Sequence, residues 1–252
     1  GWYRTDGSNY SPYYIYGVYV TDPEEIKGNT ISIDSYYGGH AIYVYQDGSY
    51  DVDLVVESNT VNHFTQYYYG DSRALIINQN SQNSSYTLVK SNVFRIYNGG
   101  RSAIDVEDNT DIIDNTLYFG DRYSQCSFST WSEPTAIEIE DNHHIIRGNT
   151  ITNFAIGIDI NGSTDNVVDS NTVHTLSTYT AYTGSSANFS NCHGIYAPNS
   201  DSLFITNNTI TTEGGTLIYQ TNGASTIKYN LLETESGRGI WCENQAGVEF
   251  SN

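Results

Sequence analysis

Apolar residues recur along this chain in two short patterns, and neither has the 3.6-residue period of a helix. The first pattern is apolar-x-x-Asn-Thr-apolar, whose Asn is Asn29, Asn59, Asn92, Asn115, Asn149, Asn171, Asn208 and Asn230, with Val93 and Leu231 replacing the Thr in two copies. Three residues before these asparagines stand Ile26, Val56, Val89, Ile112, Ile146, Val168, Ile205 and Ile227. The second pattern is small-apolar-x-apolar, as in Ala41-Ile42-Tyr43-Val44, Ala103-Ile104-Asp105-Val106 and Ala136-Ile137-Glu138-Ile139. In both, apolar and other residues alternate, which predicts half-buried β-strands.

Successive asparagines are 30, 33, 23, 34, 22, 37 and 22 residues apart. A base turn of about 22 residues with insertions, carrying only short strands, predicts a solenoid. Each turn cannot bury its apolar edge alone, so turns stack about 4.8 Å apart around one interior. The eight asparagines then lie above one another and bond along the axis as an Asn ladder. In these features the sequence resembles the right-handed parallel β-helix repeat family, the pectate-lyase-like group of polysaccharide lyases, glycosidases, epimerases and surface proteins. The resemblance covers residues 16–252. It implies an all-β, single-stranded, right-handed parallel β-helix of eight to nine coils with long loops on one edge. Residues 1–15, with Trp2, Tyr3, Tyr10, Tyr13 and Tyr14, are expected to form an aromatic N-terminal segment or plug.

The two longest insertions, 116–135 and 172–193, contain Cys126 and Cys192 and flank one short connection. A Cys126–Cys192 disulfide is expected if both loops fold over that connection; the alternative is three unpaired cysteines, which suits the inward-facing Cys242.

Stacking aligns the outward position of the second pattern into a column: Tyr43, Ile76, Asp105, Glu138, Asp159, Tyr196, Tyr219 and Trp241. Two residues on runs a neighbouring column with Glu107 and Glu140. The five carboxylates Asp105, Glu107, Glu138, Glu140 and Asp159, with no Lys or Arg in sequence beside them, are candidate Ca²⁺ ligands. Alternatively Asp105, Glu138 and Asp159 are acid–base residues of glycosyl transfer, with Tyr196, Tyr219 and Trp241 binding sugar. The third reading is a solvated charged face. The resemblance implies lyases that combine Ca²⁺ with a basic residue; Arg101 and His193 stand nearby, but neither falls in a matching motif. His143 and His144 read as exposed turn residues.

Composition narrows the partners. With 10 Lys and Arg against 29 Asp and Glu, the net charge is −19, which disfavours nucleic acid and anionic membranes. No apolar run is long enough to span a bilayer. Five sequons at Asn9, Asn83, Asn161, Asn188 and Asn207 point to glycosylation and an extracellular, cell-surface location. The chain opens at Gly1 without a Met or leader, as a mature or excised segment would, and Asn252 falls on the next ladder position, so continuation or capping by another subunit is expected. The 23 tyrosines, in runs such as Tyr13-Tyr14, Tyr36-Tyr37 and Tyr67-Tyr68-Tyr69, suit adhesive surfaces. The leading expectation is a structural protein that associates with its own copies into a sheath, surface layer or filament. A polysaccharide lyase or glycoside hydrolase comes second, and a non-catalytic glycan adhesin third.

Overall fold

The computed structural model describes residues 15–35, 38–47, 52–65, 72–79, 85–97, 101–107, 109–120, 133–180, 186–188, 192–244 and 247–251. The described strands form three parallel sheets that run the length of a solenoid. The first sheet has nine strands, from Ile15–Thr21 to Gly237–Glu243; the second has nine, from Glu25–Lys27 to Gly247–Ser251; the third has eight, from Thr30–Ser35 to Leu231–Thr234. Each coil contributes one strand to each sheet in turn, as Gly39–Gln46, Leu54–Glu57 and Thr60–Thr65 do. A two-stranded antiparallel hairpin, Thr178–Thr180 with Ser186–Asn188, projects between the third and first sheets.

The apolar positions of both patterns point inward and make one core along the axis. Ile42, Val56, Phe94, Ile104, Ile112, Phe119, Ile137 and Phe154 are among its fully enclosed members. The small residue of the second pattern sits where the first sheet turns against the third. A Cβ on Gly194 would come within 2.6 Å of the Leu217 carbonyl oxygen and press on the Ile210 side chain.

The ladder occupies the corner between the second and third sheets. At all seven steps, the backbone N–H and side-chain amide of one Asn donate to Oδ1 of the next, over 2.9–3.1 Å. From Asn59 onward each amide also donates to a carbonyl of the preceding coil, as Asn149 Nδ2 does to Ile112 O at 2.8 Å. The turn is sharp because the residue before each ladder Asn is left-handed. Gly28, Ser58, Ser91, Asp114, Gly148, Ser170, Asn207 and Tyr229 all have φ between 54° and 68°. Small or Asx residues at seven of these positions lower the cost of that conformation.

One sequence expectation changes here. His143 is exposed, but His144 is fully buried, with Nε2 2.8 Å from the Glu140 carbonyl oxygen. The turn directs it inward, and Asn166 Oδ1 accepts its backbone N–H at 2.8 Å, so the pair forms a second polar link between coils. The runs Tyr13-Tyr14, Tyr36-Tyr37 and Tyr67-Tyr68-Tyr69, with Trp2, Tyr3 and Tyr10, lie outside the described residues.

The outer face of the second sheet carries apolar side chains in register. One outward column runs Glu25, Val55, Leu88, Asp111, Ile145, Val167, Phe204, Thr226 and Glu249, and Asp111 accepts a 2.8 Å bond from Tyr86 OH. The adjacent column carries Lys27, Lys90, Arg147 and Lys228. Three of these cations form ion pairs on the sheet: Lys27–Glu57 at 2.6 Å, Arg147–Asp169 at 3.0 Å and Lys228–Glu249 at 2.6 Å.

Candidate functional site

The outward column of the first sheet runs through nine strands in continuous register: Tyr19, Tyr43, Ile76, Asp105, Glu138, Asp159, Tyr196, Tyr219 and Trp241. Three carboxylates on consecutive coils, about 4.8 Å apart at the backbone, lie between two aromatic groups.

Two of the three carboxylates have cationic partners. Arg73 Nε contacts Asp105 Oδ2, and Arg101 Nη2 donates to Glu138 Oε1 at 2.6 Å. Each arginine belongs to the coil before its partner's strand, a relation hidden by the variable insertions. Arg73 stands in register with Ser102 and reaches across to Asp105 one coil on. Ile76 and Asp105, at outward positions, are nevertheless buried.

Burial pushes Asp105 up to about 7, with Arg73 pulling the other way and Glu138 adding to the rise. Burial likewise pushes Asp159 up to about 7, reinforced by Glu138 and opposed by Arg101. Glu138 Oε2 and Asp159 Oδ1 are both buried and accept no hydrogen bond among the described residues. Glu138 and Asp159 are therefore register neighbours in which one oxygen of each is unengaged among the described residues.

This donor set does not fit Ca²⁺, which draws six to eight oxygens to 2.3–2.6 Å. Glu107 accepts the Gln79 N–H at 2.5 Å, and Asp105 and Glu138 hold arginines. Among the described residues, no three His, Cys, Asp or Glu side chains converge as a metal site would require.

The aromatic groups stack along the axis. Tyr19 and Tyr43 are 5.1 Å apart at 5°, with Tyr16 set edge-on to both. At the other end His193 stacks on Tyr196 at 4.8 Å and Tyr196 on Tyr219 at 5.2 Å, while Trp241 lies 6.3 Å beyond Tyr219. The Arg238 guanidinium covers the Trp241 ring at 3.6 Å. Neighbouring rings and a guanidinium thus pack against ring faces along this column. The neutral form of His193 is favoured by burial, against the pull of Glu133.

Cys126 lies outside the described residues. Cys192 is buried, its Sγ 3.3 Å from the Leu176 carbonyl oxygen, and Cys242 is a free thiol packed against the core. Of the five sequons, Asn161 and Asn207 have described side chains, and both are exposed. Asn207 Nδ2 donates to Asp169 Oδ1 at 2.8 Å.

These observations define an all-β solenoid of three parallel sheets. The family model described as "Right handed beta helix region" matches residues 73–252, and the chain belongs to that family. No curated protein and no solved structure matches it. No helix of the described residues is long and apolar enough to cross a membrane.

Proposed function

We propose that the chain is a structural, extracellular β-helix that associates with its own copies at a cell surface. One observation carries this reading: the outward side chains of the first sheet bond from coil to coil. Tyr19 with Tyr43, Arg73 with Asp105, Arg101 with Glu138 and Tyr196 with Tyr219 each tie one coil to the next. Their chemistry stiffens the solenoid along its axis, as a load-bearing or packing element requires. Exposed Asn161 and Asn207 sequons support an exported chain. Sedimentation velocity and electron microscopy of the purified chain over a wide concentration range test the reading. Oligomers or ordered arrays are expected, and a monomer at every concentration refutes it.

A second reading, a glycoside hydrolase, is favoured by the unengaged oxygens of Glu138 and Asp159. There Asp159 gives its proton to the glycosidic oxygen as Glu138 Oε2 attacks the anomeric carbon; water then cleaves the glycosyl ester, returning the proton to Asp159. Reducing ends released from neutral and acidic polysaccharides, and lost in Glu138→Gln and Asp159→Asn, would favour it. No release from any of them removes it.

A further inference from the structure

We infer that the outer face of the second sheet is the surface through which two copies of this chain meet, as an isologous pair. The inference rests on the self-associating function just proposed and names its contact.

Two copies that each carry −19 repel one another over most of their surface. On the nine strands of the second sheet four basic residues stand against five acidic ones, Glu25, Glu57, Asp111, Asp169 and Glu249; the third sheet, with Arg95 against Asp34 and Glu233, is as nearly balanced, and what sets the second apart is its apolar column. The sheet therefore carries about one net negative charge of the nineteen. Its ion pairs are internal, so two such faces meet with little unbalanced charge between them.

The same face supplies apolar area. Val55, Leu88, Ile145 and Val167 are partly exposed in one column, and Phe204, followed there by Thr226 and Glu249, is 48% exposed. Eight inter-strand steps of about 4.8 Å make the face about 38 Å long, and strands of about four residues make it about 13 Å wide. Two faces together cover roughly 1,000 Å², the lower end of specific interfaces, which predicts a reversible dimer rather than a permanent one. A twofold contact fits because the same patch, nearly neutral and apolar, serves both partners. Sheets facing one another at about 10 Å interleave such columns well.

Salt separates this contact from one held by intermolecular ion pairs. Screening weakens the repulsion between two anionic bodies and leaves apolar burial in place, so dimerisation should tighten between 0.05 and 0.5 M NaCl. Contacts made by charge pairs across the interface would loosen instead.

Sedimentation equilibrium of the full chain, with Phe204→Asp and Val167→Asp beside it, tests the inference. Both positions face outward, and circular dichroism with thermal melts checks that the variants fold. Each is expected to weaken dimerisation at least tenfold, while Thr209→Asp, on the outward side of the third sheet, leaves it unchanged. If the unaltered chain associates but the folded Phe204→Asp and Val167→Asp variants associate equally well, the contact lies elsewhere and only the present inference fails. Loosening by salt overturns it too. A wild-type chain that stays monomeric removes both this inference and the function beneath it.

Discussion

Replacing Asn149 with Ala is the sharpest test of how coils are held in register. Asn149 Oδ1 accepts the Asn115 backbone N–H at 2.9 Å and its side-chain amide at 3.1 Å. Asn149 Nδ2 donates to Ile112 O at 2.8 Å, Arg147 O at 3.2 Å and Asn171 Oδ1 at 3.0 Å. Truncation leaves the buried Asn115 N–H without its partner and takes one of the bonds to the Ile112 carbonyl, which the adjacent strand also engages. The Asn115 amide keeps its bonds to Val89 O and Ile113 O, and Asn171 Oδ1 keeps the Asn149 N–H. At about 1–3 kcal/mol for the orphaned N–H and about 1 kcal/mol for the lost bond to the carbonyl, the loss is about 2–4 kcal/mol. Asn29 is the comparison: it is exposed, and Asn29→Ala removes only its two amide bonds, to Lys27 O and Asn59 Oδ1, costing about 1 kcal/mol. Urea unfolding followed by circular dichroism measures both. If the Asn149 and Asn29 variants lose the same stability within error, the ladder does not hold the coils as argued.

His63 is enclosed and its Nε2 lies 2.9 Å from Gly39 O. Burial lowers its pKa to about 4 from 6.5, so the folded state resists protonation; stability is full above pH 6.5 and falls by about 3 kcal/mol as pH drops to 4. His63→Ile matches Ile33 and Ile96 in its column and should flatten that acid limb in melts from pH 4 to 7; an unchanged limb refutes the assignment. Asp159, raised to about 7 by burial, has the opposite sign: its contribution is full below pH 3.8 and is lost as pH rises through 7. Asp159→Asn should therefore gain stability relative to wild type at pH 8 but not at pH 4; equal differences at both values would show that Asp159 titrates normally. Gly194→Ala should cost about 1–3 kcal/mol through contact with Leu217 O and Ile210, although the equivalent positions hold Ala41, Ala74, Ala103 and Ala136; a neutral change would show that the corner can relax.

The sequence alone determined the coil. Asn-Thr-apolar repeats and alternating Ile and Val specify which residue faces in, which corner each Asn occupies, and hence which side chains share a column, because strand alternation and the 4.8 Å repeat are local rules. Even the left-handed residue before each ladder Asn leaves a trace, as Gly, Ser, Asp or Asn in every coil but the last. What a column does was decided by tertiary structure. The partners of Asp105 and Glu138 come from a preceding coil across insertions of unequal length, so no spacing announces Arg73, and Arg101, though seen to stand nearby, could not be assigned to Glu138. Ring orientation is likewise absent from a list of tyrosines: whether Tyr196 and Tyr219 offer faces to a ligand or to one another depends on rotamers set by close packing. The near neutrality of the second sheet emerges only once nine distant strands, whose charges look scattered along the chain, are brought onto one face.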